Sequence, residues 1–533
     1  MHKRSILSAA LLGFFLTLPT LACAADRQET KSDRPAVILR LASFDQLRGD
    51  FAYLANLIGE EEKAKQIDAL IKAQLGDNGL DGIDPKKPLA AYGSIGSIGI
   101  DSKAILLLPI ADKKAFVDLF TNRFDLKPDK GDDDVYTIRI DKVPEPVYFR
   151  FAHDYVYITV RDKDALDKDK LLAPSVVLAS GSKDLFAVTV DVAQIPDNIK
   201  EMALGTIENR LADIKEQEMP QHTEAQKKFR NAAVDELGTH IKTLFKHGSE
   251  TTFRWNLDRK AGDFSLTMSV AGKADSPLAQ SIRDLGKVKS LTAALSQPNS
   301  TVKGELNVRL SENLRKLMEP ALRDAEKQAL SHAKNDGDRQ VVNAILNGVM
   351  PTLKAAELDT TFNLLGPNAK GIYTFVGGVK VKKGEQLEQT VRKMFAHHEE
   401  VKLDIEKVDG VSIHRVSLKN VDAGIRRVMG DGPMYVAIRS DAAFVALGDK
   451  GLEAVKRAAA TAPTTGKLME FQLAFARLAP LLNAVEPARK AFGDDKDADR
   501  IHLELEGGKA LTFRLTMKAK LLEFTTRMRK SQQ

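Results

Sequence analysis

The chemically capable residues of this 533-residue chain are many, but their spacing offers little. His397-His398-Glu399-Glu400 sets four metal-type donors side by side. Neighbouring residues on a helix point about 100° apart, so the two imidazoles diverge, and no His-Glu-x-x-His spacing converges them. The stretch reads as a solvated helix end. Asp495, Asp497 and Asp499, with Glu506 at the twelfth position, resemble a calcium loop. Its sixth position is Arg500 where a tight turn needs glycine, and Ile501, Leu503 and Leu505 alternate as a strand where a helix should begin. It reads as an acidic turn before a strand, and Gly131-Asp132-Asp133-Asp134 reads as another turn.

Gly93, Gly96 and Gly99 do not follow Gly-x-Gly-x-x-Gly, and no Gly-Lys-Ser/Thr occurs, so strand distortion beside close-packed backbone is expected. Ser180-Gly181-Ser182-Lys183 fits Ser-x-x-Lys without its Ser-Asp-Asn and Lys-Thr-Gly companions, and no Gly-x-Ser-x-Gly elbow exists. His153 and His414 lie in strand-like regions and read as surface or internally satisfied histidines. No catalytic residue, cofactor-binding residue, metal ligand or cofactor is assigned.

One residue carries an address. Cys23 is the single cysteine. It follows a positive start (Lys3, Arg4) and an apolar run from Ile6 to Leu18, and sits within Ala22-Cys23-Ala24. A bilayer span needs about 20 residues, so this shorter run reads as an exported leader over residues 1–24, cleaved after Ala24. The alternative is lipidation at Cys23, although Thr20 stands where such a motif carries leucine. With no second thiol, no intramolecular disulfide can form, and no cysteine-based zinc site, redox pair or nucleophile is available in the body. The net charge is +6, from 79 basic and 73 acidic residues interleaved along the chain. That pattern suits a solvated surface and not nucleic acid.

The elements that must position any site repeat themselves. Tyr148, Asp154, Tyr157, Asp162 and Lys163 correspond to Tyr435, Asp441, Phe444, Asp449 and Lys450, each 287 positions on. Leu39-Arg40-Leu41 corresponds to Val308-Arg309-Leu310, and Leu266-Thr267-Met268 to Leu515-Thr516-Met517. Blocks in one order indicate duplication. Two α+β units are expected, residues 34–275 and 301–528, joined by a linker over 276–300. Each is a mostly antiparallel sheet covered by helices. Strands are expected at Val37 to Leu41 and helices at Phe51 to Ile58 and Ala64 to Leu75. Asp409-Gly410 marks a hairpin turn. A long helical hairpin at about 197–247, broken at Pro220, is inserted in the first unit.

On the blocks at Tyr148 and Tyr435, behind an export leader, the chain resembles a family of large exported bacterial proteins of unknown function with tandem α+β units. That resemblance supplies no catalytic residue. The expected role is non-enzymatic binding or scaffolding in the cell envelope, periplasmic or extracellular, with an envelope ligand or protein as partner. A membrane is a partner only if Cys23 is lipidated. The alternatives are a lipid or lipoprotein carrier with a large apolar cavity, or a hydrolase with two carboxyls facing across a pocket.

Overall fold

The computed structural model describes residues 35–522 apart from 63–64, 67–68, 70–80, 97–101, 141–144, 179–183, 218–222, 298, 332–335, 397, 418–422 and 479–498. The leader with Cys23, the Ser180–Lys183 tetrapeptide, Gly99, His397, most of the Ala64–Leu75 helix and most of the acidic stretch before Asp499 lie outside the described residues. Among the described residues no helix is long and apolar enough to cross a membrane.

The chain divides into two compact units. The first comprises Met1–Gly205 and Phe245–Ala274, the second Thr206–Leu244 and Asp275–Gln533. Among the described residues ten strands build the first: Val37–Leu41 (β1), Leu89–Ser94 (β2), Lys103–Pro109 (β3), Asp129–Lys130 (β4), Tyr136–Ile138 (β5), Val147–Ala152 (β6), Tyr155–Val160 (β7), Phe186–Asp191 (β8), Gly248–Asp258 (β9) and Asp263–Gly272 (β10). They pair antiparallel in the order β4-β5-β6-β7-β3-β2-β1-β8-β9-β10.

The helix after β1, α1, runs Phe44–Leu57, not from Phe51 as expected. Ser43 caps it by accepting the Gln46 N–H, a signal stronger than the apolar spacing that suggested the later start. A second helix, Lys113–Phe124 (α2), is capped by Asp112, whose carboxylate takes the N–H groups of Lys114 and Ala115. Phe116 on α2 packs edge-on against Phe149 and Phe151, and Tyr136 stacks on Phe149 at 4.7 Å between centroids. Burying each such ring contributes about 2–3 kcal/mol. His153 is not in a strand. It forms the β6–β7 turn with Asp154, at φ of 51° and 60°, the left-handed pair a two-residue hairpin turn requires.

Between β8 and β9 the chain makes two helices, Asp197–Glu216 (α3) and Glu224–His247 (α4). They are tied together by Lys242–Glu208 at 2.6 Å, Lys215–Asp235 at 2.7 Å, and Arg230 donating to the Lys215 carbonyl. No described residue of either helix is fully buried.

After β10 the second unit continues with a short helix, Pro277–Leu285 (α5), and then uses Ser300–Arg309 (β11), Glu357–Leu365 (β12), Thr374–Lys380 (β13), Val401–Val408 (β14), Val411–Val416 (β15), Met434–Ile438 (β16), Ala442–Leu447 (β17), Met469–Ala474 (β18), Arg500–Glu506 (β19) and Leu511–Lys518 (β20). Its order is β14-β15-β16-β17-β13-β12-β11-β18-β19-β20, again antiparallel throughout. This is the first unit's order with ten added to every label. The register agrees too: Val147 faces Val160 as Met434 faces Leu447, and Arg150 faces Tyr157 as Ala437 faces Phe444. Tyr157 and Phe444 are both fully buried. The fold class is therefore α+β with antiparallel sheets and helices.

Two helices, Glu312–Ser331 (α6) and Asp336–Ala355 (α7), separate β11 from β12, and Gly384–Phe395 (α8) separates β13 from β14. Gly451–Ala459 (α9) lays Ala454, Val455, Ala458 and Ala459 onto Val376, Ile413 and Phe444 to make the main core. Asp409 and Gly410 form the expected turn, at φ of 48° and 84°. Strand β14 pairs with β15 alone among the described residues, and its register slips between Lys402 and Glu406. Within that slip Asp404 has φ of 55° and donates its N–H to Nδ1 of buried His414. The same Asp404 carboxylate holds Arg392 in a two-bond fork at 2.5 and 2.6 Å.

Candidate functional site

The second unit's sheet is unusual in which side chains it hides. On β11, alternation sends Thr301, Lys303, Glu305 and Asn307 to one face, and all four are buried. Neighbouring strands add Asp359, Thr361 and Asn363 from β12, Glu470 and Gln472 from β18, and Glu504 from β19. The opposite face carries Val302, Leu306, Phe362, Phe471, Leu503 and Leu515, of which Phe362 and Phe471 are exposed.

Register makes a row of like charges on the polar face. Glu305 stands opposite Glu470, Glu470 opposite Glu504, and Glu504 opposite Arg514. Like charges directly across strands repel. Three cations relieve this. Glu470 Oε1 accepts from Lys303 Nζ at 2.8 Å, Lys467 Nζ at 2.8 Å and pairs with His502 Nε2 at 2.7 Å. Glu504 Oε2 takes the other contact of Lys467 Nζ at 2.5 Å, and Glu504 Oε1 is bonded by Arg514. Burial pushes the Glu470 carboxyl up, but His502, Lys303 and Lys467 outweigh it and hold it well below the usual carboxylate range. Glu504 is lowered against burial in the same way by Lys467 and Arg514.

Glu305 is the exception. It is only 4% exposed. Its Oε1 accepts the Lys467 backbone N–H at 3.0 Å, and no cationic side chain pairs with it among the described residues. Burial, and then the Glu470 charge, push its carboxyl above the usual range. Glu305 faces a cavity of about 270 Å³, walled also by Lys303, Lys467, Glu470, Ser296 and Thr465.

A strap closes this face. Lys289–Ser290 pairs with Thr464–Thr465, and Asp359 fastens the turn from Ser290 to Thr292. Its carboxylate accepts from Ser290 Oγ at 2.6 Å, the Leu291 N–H at 2.6 Å and Thr292 Oγ1 at 2.9 Å. Asn363 continues the line, donating to the Leu295 carbonyl and accepting from Ser300 Oγ. Beyond the strap is a second cavity of about 190 Å³, walled by Leu295, Gln297, Val376 and Arg457.

Ligand atoms of Glu470, His502 and Glu504 lie within 4.8 Å of one another. The donor set fits a metal ion poorly, because Lys303, Lys467 and Arg514 already occupy the carboxylates.

The residues weighed in the sequence lie elsewhere and do not converge. A Cβ on Gly93 would sit 2.0 Å from the Lys103 carbonyl oxygen, so close backbone accounts for that glycine. Asp133 and Asp134 pair with Lys163 and Lys130 at 2.8 and 2.9 Å. Asp499 is fully buried and accepts the Ala476 N–H. His398 and Glu399 are exposed. His414 is 1% exposed, with Nε2 bonded to Glu388 at 2.9 Å.

No family model and no curated protein matches the chain. Two solved structures do, crystal forms IV and III of TP0453. The first is 12% identical with a TM-score of 0.22, covering 44% of this chain and 76% of that one. The second is 11% identical with a TM-score of 0.23, covering 45% and 78%. The resemblance is distant, and at these values it carries no argument about function.

Proposed function

We propose that the chain is an exported cell-envelope protein, built by tandem duplication of one α+β unit, that binds a small polar ligand on the strapped polar face of its second unit. One observation carries the binding role: Glu305, a buried carboxyl without a cationic partner among the described residues, facing a cavity whose other carboxylate, Glu470, is paired. Burying a carboxyl that lacks a partner costs free energy whether it stays charged or takes up a proton, so folding alone does not favour it. The shared strand order and register support the duplication. The leader over residues 1–24 supports export, with cleavage after Ala24 and lipidation at Cys23 as its two forms.

Binding is favoured over hydrolysis. An acid/base pair needs one carboxylate available to take a proton or attack. Glu470, the natural partner of Glu305, is saturated by Lys303, Lys467 and His502. Native mass spectrometry of the chain purified from its envelope tests the reading. A bound small molecule in the wild type, lost when Thr465→Trp blocks the cavity, supports it. An adduct that survives Thr465→Trp refutes it.

A second reading, carriage of an apolar molecule, rests on the exposed rings of Phe362 and Phe471 on the opposite face. Neither of the two cavities described is the large apolar one such a carrier would have. Lipid found by mass spectrometry and released by Phe471→Asp would favour it.

A further inference from the structure

We infer that the ligand presents an ammonium group to Glu305; this rests on the binding role proposed above. The argument starts from what the cavity leaves unmatched. Lys303 and Lys467 are bonded to Glu470 and Glu504, and Arg514 to Glu504. Glu305 Oε1 has a backbone donor, and among the described residues no donor reaches Oε2. The remainder is an acceptor that is 4% exposed and borders open space.

Three kinds of ligand group could meet it. A divalent metal ion needs about six oxygen ligands, and one unmatched carboxylate oxygen falls far short. An anion finds the lysines already engaged and meets Glu305 itself. An ammonium brings three N–H groups, and Glu305 and the hydroxyl-bearing Thr464 and Thr465, which line the same space, can accept them. A cavity of about 270 Å³ holds a molecule of a few heavy atoms beyond that group.

The charges around Glu305 are mixed. Glu470 disfavours its ionised form, while Lys303 and Lys467 favour it. His502, Glu504 and Arg514 complete the surrounding charges. An arriving ammonium supplies the cationic partner that none of these side chains gives Glu305.

The test uses the full chain and three small probes, ethylammonium, ethanol and acetate, with thermal unfolding and titration calorimetry. Ethylammonium should raise the midpoint, and the effect should vanish in Glu305→Gln, which keeps shape and removes the charge. Stabilisation by ethanol or acetate but not by ethylammonium overturns the ammonium assignment while leaving the cavity a binding site. Stabilisation by none of the three overturns the ammonium assignment. An ethylammonium effect that persists in Glu305→Gln overturns the role of Glu305.

Discussion

Replacing Asp359 by alanine should loosen the strap and weaken the second unit. The carboxylate is 4% exposed and holds Ser290 Oγ, the Leu291 N–H and Thr292 Oγ1 at 2.6, 2.6 and 2.9 Å. Hydrogen bonds to a charged group contribute about 1.5–3 kcal/mol each, which bounds the sum near 9 kcal/mol. Two effects reduce it. The variant no longer dehydrates a carboxylate, and a released strap can return its donors to water. The expected loss is about 3–5 kcal/mol, against about 5–15 kcal/mol for a whole domain. Asp359→Asn should lose less, about 2 kcal/mol, because one oxygen survives while an amide N–H₂ confronts the Leu291 N–H. Urea unfolding at neutral pH measures the loss, and amide exchange over residues 289–297 locates it. A loss under about 1 kcal/mol with unchanged exchange at Leu291 would refute the view that Asp359 fastens the strap.

The same geometry gives three further outcomes. Glu305 sits above its ordinary range, so its contribution is complete in acid and is lost as pH rises through its folded value. Glu305→Gln should therefore match the wild type at low pH and exceed it at neutral pH; a Gln variant that is weaker at neutral pH contradicts the burial argument. Lys467→Met leaves Glu470 and Glu504 short of one cation, and should cost about 2–3 kcal/mol at neutral pH because the lysine is 31% exposed. Both carboxyls are lowered, so that penalty should shrink as pH falls below the usual carboxylate range, which unfolding curves at several pH values would show. Gly93→Ala should force β2 and β3 apart and cost about 3 kcal/mol in thermal unfolding; an unchanged midpoint would mean the strands have slack.

Much of the architecture was legible in the residues. Val37 to Leu41 was legible as β1, and the Asp409-Gly410 dipeptide as a hairpin turn. The spacing of 287 between Tyr148 and Tyr435 foreshadowed two strand pairs with one register. Capping set α1 further upstream than apolar spacing suggested, because Ser43 is a stronger start than Phe51. His153 looked like strand because its neighbours do, while its own φ is left-handed. The candidate site was invisible for a physical reason. Alternation in Val302 to Val308 gives a period but not which face is covered. Polar residues default to the solvent side, and here a strap of some ten residues reverses that default. Nor could spacing reveal that Glu305, Glu470 and Glu504, separated by 165 and 34 positions, share one row.

The slipped register of β14 has a consequence for how the molecule behaves in a crowd. An outermost strand with regular, unmatched N–H and C=O groups is a template on which another chain can crystallise or grow a fibre. Here the left-handed Asp404 kinks that rim, His414 draws one amide inward, and Arg392 closes the kink with a two-bond ion pair to Asp404. A neighbouring strand that extended this rim would have to undo all three, which makes it a poor template for another copy of the chain.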